Sequence, residues 1–101
     1  MITERLTRRV RISNEEGLHL RAAALFSQVA QMFACDIRLA CGERHADGKS
    51  VWELIGLAAE PGTELVIEAE GSQSEEALDR LEGLVAGQFQ VSAAENNHEA
   101  L

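Results

Sequence analysis

No stretch of this chain approaches the roughly 18 consecutive apolar residues of a membrane span. The opening MITERLTRRVRI is charged throughout and lacks the apolar centre of a signal peptide. A soluble, cytoplasmic protein with no membrane insertion is expected. The chain also lacks any basic cluster larger than Arg8, Arg9 and Arg11, and its formal net charge is −8. Such a surface does not neutralise a run of phosphates, which argues against nucleic acid as a partner. Cysteine is scarce: Cys35 and Cys41 lie in a segment that alternates like a strand, which would hold them about 20 Å apart and beyond disulfide reach. Reduced core thiols are expected. Together with His45 and His98 they show no zinc-ligand spacing, so no metal and no cofactor is expected. A Gly-rich phosphate loop, a pair of catalytic carboxylates and a Ser-His-Asp arrangement are missing as well.

What is present has the size of one domain: 101 residues, 46% of them hydrophobic. The periodic part covers residues 1–89, and SAAENNHEAL beyond it has none, so 90–101 is expected to be a flexible tail. Leu6, Val10 and Ile12 share one parity in a first strand from Arg5 to Ser13, which Arg8 interrupts. After the turn Asn14-Glu15-Glu16-Gly17, the spacing of Ala23, Phe26, Ala30 and Phe33 predicts an amphipathic helix of about 13 residues. CDIRLACGE alternates cleanly, with Cys35, Ile37, Leu39 and Cys41 on one side, and Cys41-Gly42-Glu43 turns it into a short edge strand through Arg44, His45 and Ala46. Ser50 and Glu53 form a capping-box signature ahead of Val51, Leu54, Ile55 and Leu57, and so open a short second helix. The one proline, in Glu60-Pro61-Gly62-Thr63, marks a turn before a fourth strand whose buried face is Leu65, Ile67 and Ala69 and whose outer face is acidic. Ser72 to Glu76 start a third helix with acids in its first turn; Ala77, Leu78, Leu81, Leu84 and Val85 line its apolar face, and Gly87 ends it. The order β-α-β-β-α-β-α makes an α+β fold: an antiparallel four-stranded sheet with its three helices on one face and solvent on the other.

Two positions invite chemistry. His19 and Arg21 stand at the start of the first helix, where exposed N–H groups and partial positive charge disfavour a cation. The placement suits a visiting anion, which free N–H groups, the dipole and a guanidinium would hold together. A neutral imidazole beside that anion site is a nucleophile toward phosphorus. Gly17 ahead of it removes side-chain bulk and leaves room for a partner to approach. Spacing alone leaves a structural alternative open, in which His19 only caps the helix and Arg21 is a solvated surface cation. Ser50 likewise needs no more than its cap to explain it, although a phosphate there would sit at a helix start and alter any docking surface around it. Trp52 falls off the Val51, Leu54, Ile55 stripe and Leu20 off the core stripe of its own helix. Leu20, Val51, Trp52 and Ile55 are therefore candidates for an apolar docking patch around the histidine.

Taken together, NEEGLHLRAAALF, GKSVWELIGLAAEPGTELVIEAEG and SEEALDRLEGLV resemble, in order and over roughly residues 5 to 87, the HPr family of histidine-containing phosphocarriers of the phosphotransferase system. The resemblance implies an HPr-like open-faced β-sandwich. It implies that His19 takes a phosphoryl group on Nδ1 from enzyme I, supplied ultimately by phosphoenolpyruvate, and passes it to enzyme IIA domains in sugar uptake. Arg21 would steady the phosphate, and Ser50, after Lys49, would be the regulatory site of an HPr kinase/phosphorylase. Such a protein is a monomeric relay component with no independent turnover. The chain departs from the family at Ala22, where members usually have proline, and at Gln28 and Gln31, where they often carry lysine, with Glu53 close to Ser50. These departures imply altered transfer kinetics and weaker steering toward an acidic partner. The Arg-Ala-Ala form also resembles regulatory paralogues of nitrogen-related relays that are not coupled to sugar transport. Two rivals come from other classes: a module that signals through Ser50, and a ligand-binding βαββαβ domain that is not phosphorylated.

Overall fold

The computed structural model describes residues 5–90. Its elements are β1 (Arg5–Arg11), α1 (Leu20–Ala30), β2 (Asp36–Cys41), β3 (Arg44–Asp47), α2 (Val51–Gly56), β4 (Glu64–Glu70) and α3 (Ser74–Ala86), in the order the hydrophobic periods predict. The four strands form one sheet in the order β1-β4-β2-β3, and every pairing is antiparallel. Alternation decides which face is covered: Val10, Ile37, Leu39, Ala46, Leu65, Ile67 and Ala69 are buried beneath the helices. Arg5, Arg9 and Arg11 lie on the opposite, open face with Glu64, Glu68 and Glu70 of β4. Against the sheet pack Ala22, Ala23, Phe26 and Ala30 of α1, Leu54 of α2, and Ala77, Leu78, Leu81 and Val85 of α3. Each fully buried leucine, isoleucine or phenylalanine contributes about 1.5–3 kcal/mol relative to exposure. Among the described residues no helix is long and apolar enough to cross a membrane.

Several boundaries move for physical reasons. The first strand ends at Arg11, yet Ile12 beyond it is fully buried, because its backbone is tied to Thr63 and Gly62 in the turn ahead of β4. Arg8, which breaks the apolar parity of β1, reaches the flank of α3 and donates from one guanidinium nitrogen to Asp79 and Glu82, each at 2.8 Å. Hydrogen bonds to Asp79 first and Glu82 second raise its pKa above the usual arginine value. Cys35 is buried, whereas Cys41, which closes β2 opposite Arg44 at the hairpin, is half-buried at the edge of the core; both are free. The Ser50 capping box is only half formed. Ser50 Oγ accepts from Glu53 N–H at 3.2 Å, but the Glu53 carboxylate bonds the Asp47 N–H at 2.8 Å. The Ser50 N–H is already taken by the Asp47 carbonyl at 3.0 Å, which leaves it no donor for the glutamate. At the third helix the cap is Gln73 at φ 64°, with no side-chain cap bond, because Ser74 Oγ turns back to the Gly71 carbonyl at 2.7 Å. Leu84 on that helix is half-buried. Gly87 caps its end at φ −85°, and the left-handed residues there are Gln88 and Phe89. Phe89 is fully buried, and all of the expected tail except Gln90 lies outside the described residues.

Candidate functional site: the histidine at the start of the first helix

The loop before α1 is built by side-chain and backbone bonds of its own. Asn14 Nδ2 donates to the Gly17 carbonyl at 2.8 Å, and Gly17 N–H donates to the Asn14 carbonyl at 3.2 Å. Leu18 N–H then bonds the Ala59 carbonyl at 2.9 Å, and the Leu18 side chain is buried. This corrects the expectation for Gly17. Its φ is +68°, and a Cβ there would lie 2.5 Å from the Ala59 carbonyl oxygen, so the missing side chain lets two loops of this chain close against each other. It does not open room for a partner.

His19 emerges from that loop as the N-cap of α1, with extended backbone, and its Nδ1 accepts the Ala22 N–H at 3.2 Å. The Nδ1 lone pair therefore faces the open amides of the first turn. On the other side of the ring, Nε2 lies 2.6 Å from Glu16 Oε1. The approach is too oblique to count as a hydrogen bond, and Nε2 itself is closed off from solvent. The carboxylate thus stands against the Nε2 edge of the ring without a directed hydrogen bond.

Arg21 is not a free surface cation. It donates to the Phe89 carbonyl at 2.9 Å, just past the end of α3. The cation that sits badly at the positive start of α1 thereby finds a neutral acceptor in the loop that follows α3. A guanidinium has five N–H donors, and the Phe89 carbonyl takes one of them. Arg21 lines an open depression with Asn14, Glu15, Glu16, Gln88 and Gln90. Of these neighbours, Glu16 and the Phe89 backbone escape sequence reasoning. Glu16 is written three residues ahead of His19, but nothing in the sequence tells which of two consecutive glutamates turns toward the ring. The Phe89 carbonyl carries no side-chain signal at all.

The second position is coupled to the first helix. Ser50 caps α2 with extended backbone. The carbonyl of Lys49 accepts from Ser27 Oγ at 3.0 Å and from Gln31 Nε2 at 3.3 Å, so α1 holds the segment that presents Ser50. The Lys49 ammonium is bonded to the Phe33 carbonyl at 2.7 Å, past the end of α1. Among the expected docking residues, Trp52 is 84% and Leu20 65% exposed, whereas Val51 and Ile55 are half-buried against the core. Met32, at 63% exposure, is a further exposed apolar side chain; it lies off the Ala23, Phe26, Ala30, Phe33 stripe and just past the end of α1. Among the described residues no group of histidines, cysteines and acids is arranged to hold a metal ion.

The chain is similar to known proteins in both sequence and fold. A family model described as "PTS HPr component phosphorylation site" matches residues 6–87. The phosphocarrier protein HPr of Pseudomonas aeruginosa is 42% identical over 81 residues, which cover 79% of this chain and 90% of the relative. Among solved structures, HPr from Bacillus anthracis is 37% identical with a TM-score of 0.77, covering 80% of this chain and 96% of that one. An HPr dimer from Thermoanaerobacter tengcongensis is 33% identical with a TM-score of 0.69, covering 81% and 94%.

Proposed function

We propose that this chain, which belongs to the HPr family of phosphocarriers of the phosphotransferase system, accepts a phosphoryl group on His19 from enzyme I and hands it to an enzyme IIA domain. The observation that carries the reading is the 3.2 Å contact between His19 Nδ1 and the Ala22 N–H. It points the lone pair of a histidine at the start of an eleven-residue helix. A phosphoryl group on Nδ1 would take that N–H for one of its oxygens, and its charge of nearly −2 would lie in the positive field of the helix start. Among the described residues Arg21 spends one guanidinium donor, on Phe89, and the other four would be offered to the remaining oxygens.

Transfer in such a site works by positioning and by electrostatic stabilisation of the group in flight. Leu20 and Trp52, the most exposed apolar side chains beside Met32, would provide the contact with each partner, with Val51 and Ile55 packed beneath. Phosphorylation of Ser50 would add charge to the segment that Ser27 and Gln31 hold against α1 and would alter the same docking face. Sugar uptake is the output we favour over a nitrogen-related regulatory relay, and the protein would act as a cytoplasmic monomer. The test is labelling with enzyme I and phosphoenolpyruvate followed by mass spectrometry. His19→Ala is expected to take no label and Arg21→Ala to take it more slowly. Label retained by the His19 variant would end this reading, and label confined to Ser50 after kinase treatment would favour the regulatory module.

A further inference from the structure

We infer that Glu16 is a positioning residue for His19: its carboxylate keeps the ring proton on Nε2 and so leaves the Nδ1 lone pair as the nucleophile. The inference rests on the phosphocarrier reading above. A backbone N–H can only donate, so the contact from Ala22 requires a lone pair on Nδ1. A neutral imidazole with its acceptor at Nδ1 carries its proton on Nε2. That nitrogen is closed to solvent, and the polar group facing it is Glu16 Oε1, 2.6 Å away. The fold itself does not call for this glutamate. Its side chain is 72% exposed and has no other side-chain partner among the described residues. The loop that carries it is held by Asn14 and by the left-handed Gly17, so the carboxylate is delivered to the ring by backbone that the glutamate does not stabilise.

The chemistry gives the contact a purpose. The Nδ1 lone pair releases the Ala22 N–H and attacks the phosphorus of a donor phosphohistidine. The Nδ1–P bond forms as the donor's N–P bond breaks, and that electron pair returns to the donor ring. With Nε2 still protonated, the loaded His19 ring is positive, and Glu16 Oε1 stands beside that charge. In the onward step the electron pair of the Nδ1–P bond returns to Nδ1, and the ring departs as a neutral imidazole and not as an imidazolate. The other charged side chains lining the same depression are Glu15 and Arg21.

The test compares the full chain with Glu16→Ala and Glu16→Gln in two measurements. Nitrogen-15 NMR of the His19 ring reads which nitrogen holds the proton, and single-turnover labelling from phosphorylated enzyme I reads the rate. Wild-type His19 is expected to show the Nε2-protonated form. Glu16→Ala is expected to shift the ring toward a mixture of forms and to slow labelling about two- to fivefold, the range of an exposed charge contact. Glu16→Gln keeps an acceptor without the charge and is expected to fall between the two. Melting temperatures serve as the control for folding and are expected to change little. Unchanged ring shifts, or an unchanged rate, in the alanine variant overturn the role of Glu16 while leaving the phosphocarrier reading intact. A wild-type chain that takes no label overturns both.

Discussion

Replacing Gly17 by alanine probes how firmly the histidine loop is held. The residue has φ +68°, and its new Cβ would stand 2.5 Å from the Ala59 carbonyl oxygen and 3.3 Å from Glu60 Cα and Pro61 Cδ. Two costs add. A side chain in the left-handed region costs roughly 1–2 kcal/mol, and forcing apart a closed backbone contact costs about 1–3 kcal/mol by analogy with overpacked cores. Alanine also restricts the unfolded chain, which returns about 0.4–1 kcal/mol. The net expectation is a loss of about 1–4.5 kcal/mol, or roughly 4–36 °C in melting temperature for a domain of this size. Gly42 supplies the control, because its φ of +62° is nearly the same while a Cβ there meets nothing within 4 Å. Urea unfolding of Gly17→Ala and Gly42→Ala side by side therefore separates torsion from collision. The Gly17 variant should be the less stable by about 1–3 kcal/mol. Equal stability of the two would refute the argument that the approach of Ala59, and not the turn alone, dictates glycine ahead of His19.

Two further outcomes follow from single contacts. Ser50→Ala removes the side-chain cap of α2 and should cost about 0.5–2 kcal/mol in chemical denaturation; no measurable loss would mean that the Glu53 N–H finds another acceptor. Phe89→Ala empties a fully buried site past the end of α3 and should cost about 3–5 kcal/mol in the same assay. A change under about 1 kcal/mol would show that the site collapses around the smaller side chain.

The parts of the fold that repeat were legible in the sequence, because a strand or helix writes its buried face at a fixed period. Leu65, Ile67 and Ala69, or Leu78, Leu81 and Val85, need no neighbour to be read. What escaped was set by partners distant along the chain. Arg8 is unexplained by β1 alone and becomes sensible only beside Asp79 and Glu82. Phe89 has no periodic company, yet burial makes it part of the core and places its carbonyl under Arg21. The half-formed box at Ser50 has a local cause instead, since the Asp47 carbonyl three residues back took the donor that Glu53 would have used. At the site, the rule that a cation is ill placed at a helix start drew notice to Arg21, whose bond to the Phe89 carbonyl it could not foresee. The cap at His19 is formed, and it does not compete with the proposed chemistry, because a nitrogen that caps a helix can act as a nucleophile once released.

The pairing of β1 with β4 has a consequence during synthesis. Arg11 pairs with Glu64 at the near end and Arg5 with Glu70 at the far end, so the first strand made has its partner only after most of the chain has been translated. At about 5–20 residues per second β1 waits roughly 3–10 s without it. A strand with alternating apolar residues is most open to wrong pairing in that interval, with another nascent chain above all. Four of its seven residues, Arg5, Arg8, Arg9 and Arg11, are arginines. Two such strands brought side by side would repel each other, while the acidic β4 row, when it emerges, attracts. The arginines of β1 would thus discourage pairing with its like until the acidic β4 row is made.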